Sequence, residues 1–596
     1  MPHRGLPSWE ANSGKGEFRS PQSACILPPV TTKTIRSAAC ILGLVASSIA
    51  CGALAQTLPG SVDPGRVERR FEPSPTPRAT AEPTVPETGQ QGEAPAGAEN
   101  ISFVLADLAI EGATVLDEQA LRPLYAGDLG KTVTLARIYA IAAAITARYR
   151  GEGYVLSRAL VPAQRIREGT ARIRVVEGFI DRVSVEGETD KNRDLIDRYV
   201  AHLTQHRPLH VETLERYLLL LNDLPGIRVR SVLRPSGDTP GAADLVLSVT
   251  HTPVTASATV DNRGSEFLGQ EELSLSLQGN SLLDRGDSSR LSFVGAGDVA
   301  GGSSNELRYY DLSHQQALGD DGLTAGLRLT HSRTHPGGSL AIQDIDGRSS
   351  SAALSLAYPW IRSRQQNLEL RLSLSARNSR TTLLSQLLSE DKLRVARLAA
   401  SYDVLDRWNG ISLVNAEFSQ GFAILGASDS DDANLSRAGG RPEFSKLNLD
   451  ASRLQRLADR LNLLLVVSSQ ISAAKLLSAE EFSVGGNRFG RGYDGSEITG
   501  DHGVAGKLEL QWSQPTAPIL LQNYQIYGFY DVGATWEEGS AANDSLASTG
   551  VGLRFNATDW MSGYVELAYP LTRPVASRAP GKRDDPRLFF SLSARF

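Results

Sequence analysis

The segment Gly485-Gly486-Asn487-Arg488-Phe489-Gly490-Arg491-Gly492-Tyr493-Asp494-Gly495 places five glycines among eleven residues, with Arg491 between two of them. Glycine lets a backbone approach other surfaces closely, so this reads as a loop that carries a guanidinium into a tight place. A planar guanidinium can hold a carboxylate through two parallel hydrogen bonds. Strand parity suggests the partner. In Tyr524 to Thr535, Gln525, Tyr527, Phe529, Asp531 and Gly533 fall on one face, and Tyr524, Ile526, Tyr530, Val532 and Ala534 on the other. Asp531 therefore belongs with the polar set. The chemistry expected here is anchoring by an Arg491–Asp531 pair. The plainer alternative is an exposed loop arginine and a separate aspartate facing water.

Covalent and metal chemistry find no support. The chain has no phosphate-binding G-x-x-x-x-G-K-[ST] loop, no G-x-S-x-G elbow and no H-E-x-x-H pair, and its nine histidines read as solvated loop or lumen residues. Cys25, Cys40 and Cys51 all precede Gln56, so the remainder can hold neither a thiolate nucleophile nor a disulfide or cysteine-based metal site. No cofactor, metal or enzymatic activity is expected. The first 55 residues carry five basic and two acidic groups, so the formal charge of −6 becomes −9 on the rest, which excludes a nucleic-acid surface.

The apolar stretch Ala38 to Ala55 follows Lys33 and Arg36 and ends in Ala53-Leu54-Ala55. This is the pattern of a secretory signal peptide over residues 1–55, and the stretch is at the short end for a membrane-spanning helix. Residues 56–99 hold eight of the 29 prolines and read as a linker. Within it, Asp63 followed by Pro64 is a start signal for a brief helix to Phe71, although a charged piece of linker would read the same.

The next 150 residues repeat one order of elements. Phe103 to Ile110 reads as a strand, Asp117 to Leu124 and Leu135 to Tyr149 as helices, and Ser157 to Pro162 and Thr170 to Val176 as strands. The second copy runs as strand Ile180 to Val185, helices Leu195 to Leu203 and Val211 to Asn222, and strands Arg228 to Arg234 and Ala243 to Val249. Two β-α-α-β-β units in tandem make an internal repeat of small α+β modules, residues 100–179 and 180–251.

From about His251 to Phe596 the period changes to two. Leu368, Leu370, Leu372 and Leu374 alternate with Glu369, Arg371, Ser373 and Ser375, and Leu273, Leu323 and Leu508 open similar runs. One face meets an apolar medium and the other meets water. A soluble sandwich alternates in the same way, but the signal peptide and the length favour a membrane barrel. Dividing this segment among 16 strands leaves about 22 residues for each strand and its connection, where spanning takes roughly 9 to 11. Lipid offers no hydrogen-bond partner, so such a sheet must close. The fold class expected is mainly β, with a C-terminal antiparallel transmembrane barrel over 252–596. The last strand puts Leu588, Phe590, Leu592, Ala594 and Phe596 on one face.

Several motifs carry a family resemblance. Gly130 with Val133-Thr134-Leu135, the run Tyr149-Arg150-Gly151-Glu152-Gly153-Tyr154, Pro162 with Gln164, and Glu177-Gly178 resemble the first polypeptide-transport-associated (POTRA) domain of two-partner secretion transporters, the haemolysin secretion/activation family. Gly490-Arg491-Gly492-Tyr493 resembles the Val-Arg-Gly-aromatic tip of that superfamily's inward-folded loop, with Gly490 where valine is usual. Gly528-Phe529-Tyr530-Asp531-Val532-Gly533 resembles the barrel-wall motif that receives the loop arginine, and the terminal Phe596 resembles the signal read by barrel insertion machinery.

The resemblance implies an outer-membrane pore whose periplasmic POTRA domains bind an unfolded, β-helical secreted partner and pass it outward. Candidate capture surfaces are the segments around Tyr154 and Pro162, by β-augmentation. The rivals are an insertion factor of the same superfamily, which usually carries more periplasmic repeats, and a passive porin or adhesin, which has no use for them.

Overall fold

The computed structural model describes residues 58–72, 75–79, 94–188, 191–236, 239–298, 303–515, 521–579, 581–582 and 584–596. The expected signal peptide and part of the linker lie outside the described residues.

The first module contains strands β1 (Ser102–Val104), β2 (Asp107–Glu111), β3 (Thr132–Thr134), β4 (Arg158–Leu160) and β5 (Thr170–Val176), with helices α2 (Glu118–Leu121) and α3 (Leu135–Gly151); helix α1 (Pro64–Arg70) precedes it. Thr134 caps α3 by accepting from the Arg137 amide at 3.3 Å. Ile138, Ile141, Ala142, Ile145 and Tyr149 recur on one face of α3 and bury themselves against Leu108, Ala171, Ile173 and Val175 of the sheet. That sheet has the order β2-β5-β4, with β2 parallel to β5.

Two expectations need correction. The run Phe103 to Ile110 is two strands in two sheets, because the chain breaks at Leu105-Ala106, whose amides bond to the Lys131 and Gly169 carbonyls. The helix expected over Asp117 to Leu124 stops at Leu121 and tightens into a 3₁₀ turn at Pro123.

The second module repeats the plan with β6 (Phe179–Gly187), α4 (Arg193–Gln205), α5 (Val211–Asp223), β7 (Ile227–Pro235) and β8 (Ala242–His251), in sheet order β6-β8-β7. Leu214, Tyr217, Leu218 and Leu221 of α5 face this core. The module is fastened to two barrel turns by polar contacts. Arg216 donates to Asp321 at 2.9 Å, Arg362 grips Asp223 at 2.7 and 2.8 Å, and Arg364 reaches Glu215 at 2.7 Å.

The remaining strands are β9 (Val254–Asp261), β10 (Glu271–Asn280), β11 (Ser288–Asp298), β12 (Ser303–Leu318), β13 (Leu323–Thr334), β14 (Ile345–Arg362), β15 (Gln366–Leu383), β16 (Gln386–Leu405), β17 (Gly410–Gly421), β18 (Ser445–Ala458), β19 (Leu461–Ser472), β20 (Phe482–Val484), β21 (Ile498–Gly500), β22 (His502–Pro515), β23 (Asn523–Trp536), β24 (Asn543–Asn556), β25 (Met561–Pro570) and β26 (Arg587–Arg595). All except β20 and β21 close into one antiparallel barrel of 16 strands, with β26 returning to β9. The outer face carries the alternating leucines, and on β15 Glu369 and Arg371, which alternate with them, lie on the inner face. Strands β20 and β21 belong to the connection from β19 to β22, which folds inside.

Leu372 of β15 faces outward opposite Leu356 of β14. Leu372→Arg places a charge on the lipid face and is expected to cost about 2–4 kcal/mol, read by denaturant unfolding in lipid vesicles, whereas Ser373→Asn on the lumen face is expected to change stability by under about 0.5 kcal/mol.

Candidate functional site

The inward-folded connection brings Arg491 to the barrel wall, where it is almost completely buried. Its Nε and Nη2 donate to the two oxygens of Asp531, each at 2.9 Å, and its backbone amide donates to Asp531 Oδ2 at 3.0 Å. The carboxylate is gripped in a fork and from the main chain at once. Nη1 reaches Glu509 at 2.7 Å and Glu566 at 3.3 Å. The guanidinium carbon lies 3.5 Å from the centre of the Phe529 ring, a cation–π contact on the face opposite the loop.

Glu509 and Glu566 are site residues that parity alone left unassigned. Each is a charge on the lumen-facing side of its strand, which is the signal by which they could have been found. Arg554 donates to Glu509 at 2.6 Å while lying over Tyr527, and Arg263 donates to Glu566 at 2.5 Å while lying over Phe589. Tyr527 adds a hydrogen bond to Glu566 at 2.8 Å. Three arginines thus balance three carboxylates, all of them buried except Arg554, whose side chain is 39% exposed. Desolvating such charges is costly, and only mutual pairing makes the cluster tolerable.

The loop tip explains its glycines. Gly490 has φ of 75°, and a Cβ there would come within 2.7 Å of Leu546, so the position where the family has valine requires glycine in this chain. A Cβ on Gly492 would meet the backbone of Pro570 and Tyr569 at 2.8 to 2.9 Å. Tyr493 donates its hydroxyl hydrogen to the Ala547 carbonyl at 3.1 Å and accepts from the Thr572 and Arg573 amides. Gly533 gives room to Val484 of β20. Gly528 lies on the other face of β23, turned away from the loop.

Helix α1 lies in the lumen beside the same connection. Asp63 caps it, accepting from the Gly65 and Arg66 amides at 3.0 Å each. Arg66 pairs with Glu481 and donates to the Ser478 carbonyl, and Arg69 donates to the Ala479 and Glu481 carbonyls. Glu68 accepts from Ser349 at 2.7 Å and faces Arg377 at 3.1 Å; Arg70 holds Glu272 bidentately at 2.6 and 2.7 Å. A polar cavity of about 950 Å³ is lined by α1, the loop and wall residues such as Glu369, Asp403 and Asn448, and Arg488 of the loop crosses to Asp450 on the wall at 2.6 Å.

The motif residues of the first module gather toward its junction with the second. Tyr149 donates to Glu177 at 2.8 Å, and Glu177 also accepts from the Thr114 and Val115 amides at 2.7 and 3.0 Å. Burial pushes the Tyr149 hydroxyl up, and the bond to Glu177 adds to this. Burial acts upward on Glu177 as well, but the hydroxyl and amide donors of Thr114, the Val115 amide and Tyr149 outweigh it and hold the carboxyl below its usual range.

Gly178 abuts Leu156, and Gly153, with φ of 88°, abuts His210 of the second module. Tyr154 stands edge-on to His210 with ring centroids 5.2 Å apart, so this residue is engaged within the protein. Pro162 follows the short edge strand β4. Gln164 bonds to both main-chain groups of Arg172, at 2.7 and 2.8 Å, and fixes the chain beyond β4 to β5. Phe590 and Phe596 point outward, and the Phe596 main chain pairs with Ala256 at the barrel seam.

A family model described as haemolysin secretion/activation protein ShlB/FhaC/HecB matches residues 241–555. The chain belongs to this family. It is therefore an outer-membrane transporter of two-partner secretion, with its POTRA domains in the periplasm, in a family of transporters rather than enzymes. A POTRA domain model of ShlB type matches residues 103–178 of the transporter. The outer membrane transporter CdiB of Dickeya dadantii (strain 3937) is 24% identical over 486 residues, covering 79% of this chain and 84% of that protein. The heme/hemopexin transporter protein HuxB of Haemophilus influenzae (strain 86-028NP) is 23% identical over 564 residues, covering 91% and 96%. The solved structure of CdiB from Escherichia coli has the same fold, with a TM-score of 0.69 at 21% identity over 86% of this chain and 94% of that one.

Two outcomes are expected of the transporter. Arg491→Ala strands Asp531, Glu509 and Glu566 with two arginines, and should cost about 3–5 kcal/mol in denaturant unfolding while abolishing secretion. Exchanging the charges in an Arg491→Asp, Asp531→Arg double variant should not restore secretion, because the new aspartate still faces Glu509 and Glu566. At the module junction, the depressed Glu177 carboxyl stabilises the fold fully above the unfolded value of about 4.3, and this contribution disappears as pH falls through the lower folded value. The protection factors of the Thr114 and Val115 amides, taken relative to intrinsic exchange at each pH, should fall on acidification in the wild type, and Glu177→Gln should flatten that dependence.

Proposed function

We propose that residues 100–179 and 180–251 receive an unfolded partner exoprotein in the periplasm, and that the partner crosses the barrel of residues 252–596 as an extended chain. The β-helical class of partner is what the family resemblance implies. The observation that carries this reading is the polar filling of the lumen. A barrel of 16 strands is wide enough for a channel, and here the width is occupied by α1 and the inward connection, bordered by a polar cavity. Such an interior is a conduit with removable contents, whereas a solid barrel would be packed with apolar side chains.

Capture fits the free edge of β6, a nine-residue strand at the margin of the β6-β8-β7 sheet. An extended segment can add main-chain hydrogen bonds there, with selectivity from alternate side chains. This edge is longer than the one at Pro162, and Tyr154 is already used at the junction. No nucleotide site is needed, since folding of the partner outside the cell removes it from the return path. The outward Phe590 and Phe596 serve the insertion machinery during biogenesis. Two modules between residues 100 and 251 suit a secretion transporter better than an insertion factor with its longer array.

Deletion of residues 100–250 tests the reading. The truncated protein is expected to insert normally and to lose export of its partner, measured by appearance of the exoprotein in the medium. Unchanged export would overturn it.

A further inference from the structure

Four arginines stand directly opposite one another on four neighbouring strands. Arg308 of β12 faces Arg333 of β13, Arg333 faces Arg348 of β14, Arg348 faces Arg380 of β15, and Arg380 faces Glu390 of β16. Parity puts the row on the outer wall, since these positions alternate in step with the exposed Leu312, Leu329, Leu354 and Leu374. Lys392 and Arg394 continue the same face on β16. Like charges directly opposite across a sheet are unfavourable, so a row of this kind needs anions.

Among the described residues the carboxylates paired with the row are shared between cations. Asp346 takes Arg333 at 2.6 Å and Arg348 at 2.8 Å, and Glu390 lies 3.7 Å from Arg380 and 3.6 Å from Lys392. Glu306 shares the face of Arg308, and Asp344 lies in the adjoining loop. Arg394 bonds to neutral oxygens of Asn378 and Leu425. Among the described residues, and leaving Arg308 with its own partner, Arg333, Arg348, Arg380 and Lys392 thus share two carboxylates, Asp346 and Glu390. The side chains of Arg333, Arg348 and Arg380 remain 49%, 57% and 55% exposed despite these pairings.

The height of the row is fixed by the strand. On β15 the outward run Leu368, Leu370, Leu372, Leu374, Ala376 spans the length a membrane strand needs. Arg380 lies four residues further from the periplasmic modules, on the order of 13 Å along the strand and roughly 9 Å along the membrane normal after tilt. That is headgroup level in the outer leaflet. Toward the same end of β19, β23 and β25 the outward residues are Ile471, Trp536 and Tyr569. On those three strands the outward position at this end is uncharged.

We propose that the Arg308–Arg333–Arg348–Arg380 row binds the phosphate groups of an anionic glycolipid of the lipid A class, whose acyl chains lie on the leucines beneath. Guanidinium forks match phosphate oxygens, and the register holds them in a line that a lipid with separated phosphates can bridge. Continuity with the hydrocarbon-facing wall selects a lipid over a protein partner.

The test uses the full chain in detergent, with native mass spectrometry and equilibrium binding. The probes are bisphosphorylated lipid A, enzymatically dephosphorylated lipid A and inorganic phosphate. Bisphosphorylated lipid A should bind the wild type at least about tenfold more tightly than it binds an Arg333→Gln, Arg348→Gln, Arg380→Gln variant. Dephosphorylated lipid A should bind the wild type no better than the variant binds either lipid. Equal binding of the intact lipid to both proteins would overturn the proposal. If the variant fails to fold, the comparison of the two lipids on the wild type decides: equal affinity overturns it. Displacement by inorganic phosphate at the same concentration would reassign the row to a free anion, and unchanged lipid binding with lost export would reassign it to a protein partner; both overturn the lipid assignment.

Discussion

Hydrocarbon provides no partner for a backbone N–H or C=O, and this single constraint organises the molecule. A sheet in that medium has to close, and every strand but the seam finds its neighbour in a hairpin. The seam is the short one: Asp261 to Ser257 of β9 pair with Ser591 to Arg595 of β26, extended by the main-chain bonds between Ala256 and Phe596. Closing 16 strands also fixes a diameter that barrel side chains alone do not fill. The chain must therefore bring in other parts of itself, and those parts have to satisfy a wall lined with charge.

The two occupants are held by different physics. Arg491 is itself buried in a cluster where three cations and three anions are each backed by an aromatic ring or a second hydrogen bond, so its geometry is over-determined. Helix α1 is held by ion pairs that border the polar cavity, together with a small apolar contact of Val62 and Val67 against Phe267, Leu268 and Leu307. The carboxylates that hold the helix, Glu68, Glu272 and Glu481, are as buried as those that hold the loop, and Glu481 and the Ser478 and Ala479 carbonyls join the two occupants.

Much of this was legible in the residues. The period-two leucines gave the barrel, the repeated order of elements gave the two modules, and strand β5 falls on the segment expected. Parity put Asp531 on the lumen side, where the structure places it against Arg491. What was hidden depended on tertiary pairing. The apolar run from Phe103 to Ile110 carries no mark of the break at Ala106, because that break is made by a distant Gly169 carbonyl. Glu509 and Glu566 are two among many inward charges, and only the fold of the connection selects them. Tyr154 looked like a surface aromatic until His210, more than fifty residues away, was brought against it.

Helix α1 has only seven residues. Nucleating a helix is costly, and isolated helices shorter than about 12–15 residues are marginal in water. Outside its berth the segment has no folded existence, so departure from the lumen and melting are one event, and return requires ordering each residue again at roughly 1–2 kcal/mol of backbone entropy. The shape of this segment is therefore written in the side chains of the wall as much as in its own.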